Sequence, residues 1–115
     1  MSLPSEGDVI EIDTEESSLG HEQRGRRPAL VVSIPSFQET GFAIVCPVTT
    51  RGGTAIKPRS DLEVPMPAGF DVSGLVLSQH VRSIDLKARN SVVLAHLPRA
   101  TLLQVRARLK LFLGL

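Results

Sequence analysis

The sequence predicts a mainly β fold: a small, strongly bent antiparallel barrel or half-barrel with one C-terminal helix packed on it. Three observations predict it. Short runs rich in β-branched residues recur along the chain, each bounded by Pro or Gly, as strands between turns are. The final segment changes period, with Leu102, Val105, Leu109 and Phe112 at helical spacing. The length of 115 residues, 42% hydrophobic and 22% charged, suits one domain spanning residues 1–115, with no internal repeat and no second domain.

In chain order, Val9-Ile10-Glu11-Ile12 is the first strand, and the polar stretch 13–27, with Gly20 and Gly25, is a long loop. Pro28 then opens Ala29-Leu30-Val31-Val32-Ser33-Ile34. This run and Phe42-Ala43-Ile44-Val45-Cys46-Pro47-Val48 are two central strands, buried on both sides and joined through 35–41. A second long polar loop, 49–60, carries Gly52-Gly53 and Pro58. It leads into Leu62-Glu63-Val64, which Pro65 and Pro67 mark as an edge strand. Residues 74–83 and 91–97 supply two more strands. The helix runs over 98–113, with Pro98 suited to its first turn and Gly114 to its stop.

Composition narrows the function. It excludes a disordered chain, a collagen and a membrane-spanning protein. A single Cys46 allows no internal disulfide, and nothing before Val9 resembles a signal peptide, so a reducing cytoplasm is expected. With four Phe and no Trp or Tyr, the chain lacks the rings that base-stacking RNA modules use, and the Phe are expected mostly in the core. The net charge of +1 conceals an asymmetry. Residues 1–22 hold seven carboxylates and no Lys or Arg, whereas the remainder sets all 13 basic residues against five acidic ones, a balance of +8 that suits a polyanion or a solvated surface equally well.

Long loops in so small a chain carry function more often than strands do. In the first, Gly20-His21-Glu22-Gln23-Arg24-Gly25-Arg26-Arg27-Pro28 gathers a carboxylate, an imidazole, an amide and three guanidinium groups just before a buried strand. The second begins Pro47-Val48-Thr49-Thr50-Arg51 just after the neighbouring strand. If these two strands pair as a hairpin, Arg27 and Thr49 become neighbours. Such groups suit chemistry at a phosphodiester, where RNA cleavage through its own 2′-hydroxyl needs a base, an acid and donors to a crowded anionic phosphorus. A solvated loop is the bland alternative. No pair of His, Cys or carboxylates has zinc spacing, since His21, His80 and His96 lie on separate segments. No phosphate-binding Gly loop and no Gly-x-Ser-x-Gly elbow occurs either. Cys46, inside an apolar run, reads as a small core residue.

These motifs, in order, resemble the MazF/PemK family of toxin endoribonucleases from toxin–antitoxin pairs. The resemblance spans nearly the whole chain. It includes Gly7-Asp8-Val9-Ile10, Gly20-His21-Glu22-Gln23 with Arg27-Pro28-Ala29-Leu30-Val31-Val32-Ser33, and Thr40-Gly41. It continues through Cys46-Pro47-Val48-Thr49-Thr50, Val64-Pro65, Gly74-Leu75-Val76-Leu77, Val81-Arg82-Ser83-Ile84-Asp85, Ala88-Arg89 and the closing amphipathic helix. It implies an SH3-like barrel, a two-fold homodimer, metal-free and cofactor-free cleavage of single-stranded RNA to a 2′,3′-cyclic phosphate and a 5′-hydroxyl, and inhibition by a MazE-like antitoxin whose acidic tail covers the basic groove. Arg27 matches the catalytic Arg that stabilises the phosphorane and is also a candidate acid, and Thr49 the Thr that donates to the same phosphate. Glu22 matches the loop carboxylate, either as general base or as the group that orients Arg27. Arg26 falls on a variable position. His21, Gln23, Thr50, Arg51, Lys57, Arg59, Gln79, His80 and Arg82 are the residues expected against RNA.

Leu77 and Gln79 stand where one branch of the family has a catalytic Arg and Asp, so that acid–base pair is missing. Either His21 or His80 shares the proton transfers, or His80 pairs with a neighbouring strand and His21 only touches RNA. His96 is expected to be structural. The alternative function is a non-catalytic binding toxin on the same barrel, such as a gyrase poison. Gyrase poisons act through a Trp-Gly-Ile ending, whereas this chain reads Phe112-Leu113-Gly114-Leu115.

Overall fold

A computed structural model of the chain describes residues 3–14, 25–49, 58 and 60–115. Among them run β1 (Asp8–Asp13), β2 (Arg26–Val31), the short helix α1 (Pro35–Gln38), β3 (Phe42–Thr49), β4 (Glu63–Pro65), β5 (Leu75–Leu77), β6 (Arg82–Asp85), β7 (Val92–His96) and α2 (Arg99–Leu113). Every ladder is antiparallel, in the order β4-β5-β3-β2-β1-β7, with β6 also paired to β3. The mainly β architecture with a C-terminal helix is the expected one, and β4 is the expected edge.

The central strands are buried on both faces because alternate side chains enter different clusters. Val9, Leu30, Cys46 and Val48 pack with Leu102, Val105 and Leu109 of α2. Their neighbours Ile10, Ala29, Val31 and Val45 turn to the other face, where Ile84 and Leu86 complete a second cluster. The sheet bends back on itself around this second cluster. Turn 86–91, between β6 and β7, returns to the end of β1, where the Asp13 N–H donates to the Arg89 carbonyl at 2.9 Å. Gly114 ends α2 in the left-handed region, φ +75°, its N–H on the Lys110 carbonyl.

The expected single strand over 74–83 is two strands. Val45 pairs with Arg82 and Val48 with Val76, so three steps along β3 match six along its partner. The 3-10 turn Ser78–His80 absorbs the three spare residues. It is tied to the start of β4, because the Ser78 hydroxyl donates to the Leu62 carbonyl and Gln79 Nε2 donates to Glu63 Oε2 at 3.3 Å. The Phe expectation also fails. No Phe is fully buried, and Phe42 and Phe112 are 44% and 38% exposed, because Val, Leu and Ile fill the core. Cys46 is a core residue, and burial pushes its thiol up to about 12, so it stays protonated at neutral pH. His96 Nδ1 lies 2.7 Å from Asp8 Oδ1 and holds β7 to the start of β1, a structural role.

Candidate functional site

Strand pairing brings the two long loops to one edge of the sheet. In the β2–β3 ladder Ala29 lies opposite Pro47, Leu30 opposite Cys46 and Val31 opposite Val45. The same register carried two residues further sets Arg27 opposite Thr49. Side chains alternate along a strand, so Val31, Ala29 and Arg27 share one face of β2, as Val45, Pro47 and Thr49 do on β3. Each stripe starts in the second core cluster and ends at the surface, with Arg27 exposed and Thr49 half-buried. Thr49 is fixed from its other side by the ladder to Leu75.

A pocket of about 120 Å³ opens beside Arg27, floored by Ile12, Ala29, Val45 and Pro47. Arg27, Arg82 and Arg89 line it with Asp13 and Thr14. Three arginines lining a partly apolar pocket beside Asp13 supply cationic, forked donors of the kind that suit phosphate. The bare Cα of Gly25 gives the Arg27 side chain room to fold back, since a Cβ there would sit 2.8 Å from Arg27 Nη1.

Arg26 points the other way. It lies opposite Asp13 in the β1–β2 ladder, while Arg27 lies opposite Ile12. Its guanidinium forms ion pairs with Glu11 at 3.1 Å and Asp13 at 2.8 Å. The hydrogen bond to Glu11, foremost, raises the Arg26 pKa. The Asn90 side-chain amide and then Arg26 hold the Asp13 carboxyl below its ordinary value of 3.8. A depressed carboxylate contributes stability above its unfolded pKa and loses it as pH falls through the folded one. Wild type is therefore expected to melt above Asp13→Asn at pH 7, with the gap closing below about pH 4, as read by thermal melts across that range.

Of the residues expected from the sequence, Arg27 and Arg82 line the pocket, whereas Thr49, at the end of β3 and paired with Leu75, is not among its lining residues. Gln79 turns inward onto Glu63, its Oε1 buried without a partner. His80 is exposed on the same 3-10 turn and sits in no ladder, so it does not pair with a neighbouring strand. Neither lines the pocket. Glu22, His21, Gln23, Thr50, Arg51, Lys57 and Arg59 lie outside the described residues. Sequence reasoning gave no role to Arg89, which reaches the site through hydrogen bonds with Asp13, 76 residues away. The signals that could have found it are a basic residue in the turn after Asp85 and its place in the Ala88-Arg89 match of the resemblance. Among the described residues, no three His, Cys, Asp or Glu side chains group as a metal site requires, and no helix is long and apolar enough to cross a membrane.

The family model described as PemK-like, MazF-like toxin of type II toxin–antitoxin system matches residues 5–113. The chain is similar to the endoribonuclease toxin ChpB of Escherichia coli (strain K12), 39% identical over 84 residues that make up 72% of this chain and 71% of that protein. It is also similar to endoribonuclease PemK of Escherichia coli, 34% identical over 95 residues, 82% of this chain and 71% of that one. Among solved structures, MazF in a MazE–MazF complex (Form-II) from Deinococcus radiodurans is 38% identical with a TM-score of 0.87, over 100% of this chain and 99% of that chain.

Proposed function

The chain belongs to the PemK-like, MazF-like toxin family of type II toxin–antitoxin systems, and from that premise we propose that it is a single-domain toxin endoribonuclease cleaving single-stranded RNA without a metal or other cofactor. It acts in the cytoplasm as a homodimer. The exposed apolar side chains Val92, Val93 and Leu94 of β7 and Leu111, Phe112 and Leu113 of α2 offer surface for a second copy. A cognate MazE-like antitoxin neutralises it, an acidic segment covering the cationic pocket and competing with RNA for the same arginines. Relatives named as endoribonucleases favour this reading over a non-catalytic gyrase poison.

The observation that carries the reading is a pocket lined by Arg27, Arg82 and Arg89 at the edge of the sheet where β2 begins. In the reaction, the 2′-oxygen attacks phosphorus, the P–O2′ bond forms and the P–O5′ bond breaks. Glu22, from the first loop, takes the 2′-hydroxyl proton or orients Arg27, and Arg27 or a water molecule gives a proton to the departing 5′-oxygen. Arg27 donates to the non-bridging oxygens as negative charge builds on the pentacoordinate phosphorus, with the Thr49 hydroxyl as a further donor. Arg82 and Arg89 hold the neighbouring phosphates, and Arg51, Lys57 and Arg59 extend that track.

The test is cleavage of an unstructured RNA in excess EDTA, followed by end analysis. Undiminished cleavage leaving 2′,3′-cyclic phosphate and 5′-hydroxyl ends is expected. Loss of cutting on chelation, or 3′-hydroxyl products, would overturn the mechanism, and no cutting of several long RNAs would favour the binding-toxin alternative.

A further inference from the structure

Arg26 has no part in the reaction as described, yet three segments of the site converge on it. Its side chain donates four hydrogen bonds: Nε to Glu11 Oε1 at 3.1 Å, Nη1 to Asp13 Oδ1 at 2.8 Å, and Nη2 to the carbonyls of Glu11 at 2.9 Å and Asn90 at 2.6 Å. Four of its five N–H groups are thus engaged, which leaves little to offer a phosphate. Asn90 closes the loop, with Nδ2 on Asp13 Oδ2 at 2.7 Å and a backbone φ of +52°, the only positive φ among the described non-glycine residues. Arg89 Nη1 donates to the Asp13 carbonyl at 3.0 Å, and the Asp13 N–H returns a bond to the Arg89 carbonyl.

The end of β1, the start of β2 and turn 86–91 are therefore joined through one guanidinium. These are the segments that carry Asp13, Arg27 and Arg89 to the pocket. Resting on the reading of Arg27 as the residue that meets the scissile phosphate, we propose that Arg26 is a positioning residue. By tying β1 and turn 86–91 to the backbone immediately before Arg27, it fixes the spacing between Arg27 at the scissile phosphate and Arg89 at the neighbouring one. Exposed ion pairs contribute little to stability, so the effect falls on geometry more than on folding. A guanidinium displaced by about an ångström from its transition-state partner loses rate steeply.

Three variants test this: Arg26→Ala, Arg26→Lys and Asn90→Gly, the last suited to a positive φ but lacking the amide that holds Asp13. The measurements are the single-turnover cleavage rate at saturating protein, RNA affinity by filter binding, and hydrogen exchange over residues 25–29. Arg26→Ala is expected to lower the rate about ten- to a hundredfold, with affinity within roughly twofold of wild type and faster exchange over 25–29. Arg26→Lys keeps the charge but cannot fork across two carboxylates and two carbonyls, and stays within about threefold of Arg26→Ala. A loss confined to affinity and restored by Lys would make Arg26 a plain contributor of charge and overturn the proposal, as would unchanged rate and exchange. If wild type cuts no RNA, the nuclease reading fails by itself, and unchanged exchange over 25–29 would then overturn the clamp. Should Arg26→Ala not fold, Arg26→Lys and Asn90→Gly carry the same comparison.

Discussion

Arg27→Ala is expected to lower RNA cleavage by at least a hundred- to a thousandfold, the usual consequence of removing one preorganised donor to a developing oxyanion. The fold should survive, because Arg27 is exposed at the end of its stripe and the core clusters on both faces of β2 end at Ala29 and Leu30. Circular dichroism and thermal melting should match wild type while the single-turnover rate collapses. Arg27→Lys should recover little, since a point charge cannot span two non-bridging oxygens as a planar fork does. Retained cleavage by purified, folded Arg27→Ala would remove Arg27 from the reaction and shift the chemistry to Glu22 and His21. Arg82 or Arg89 would then have to supply the missing donors.

Steep salt dependence of RNA binding is the second large effect. With no Trp or Tyr anywhere and no Phe lining the pocket, base stacking contributes little, and affinity depends on charge. Single-stranded binding weakens with salt in proportion to the phosphates neutralised, with a log–log slope near −0.7 for each. Arg27, Arg82 and Arg89 alone imply three contacts, and Arg51, Lys57 and Arg59 would raise that to six. Between 50 and 200 mM salt, affinity should therefore fall about twenty- to three-hundredfold. Filter binding at four salt concentrations with a catalytically dead variant measures it. A change under about threefold would mean that main chain and amides, and not arginines, hold the strand. Binding of an acidic antitoxin peptide should also weaken with salt, but less steeply, because it meets the same guanidinium groups without releasing a condensed counterion atmosphere.

Legibility from sequence differed residue by residue. Val31-Ala29-Arg27 and Val45-Pro47-Thr49 were readable because a strand's period of two and a short hairpin connection fix which residues meet. The split of 74–83 at Ser78–His80 was not. Leu75, Val76, Leu77 and Val81 are good strand residues, and only the β3–β6 and β3–β5 registers, out of step by three, force a turn there. Gln79, placed against RNA by its position, faces Glu63 for the same reason.

The arginine pair at 26 and 27 marks the boundary between the two kinds of information. Local pattern by itself determined most of the strands in outline, the terminal helix and the burial of Cys46, since periodicity and turn chemistry act within a few residues, but it left Arg26 and Arg27 in a loop where the structure starts β2 at Arg26. Resemblance added the reaction and made Arg27 its centre. Only the tertiary structure decided that Arg26 is held by Glu11, Asp13 and Asn90, and that Arg89 joins Arg27 at one pocket. The physical reason is chain closure. Those contacts depend on where turn 86–91 comes to rest against β1, and the bending of the whole sheet sets that position, which no short stretch of sequence encodes.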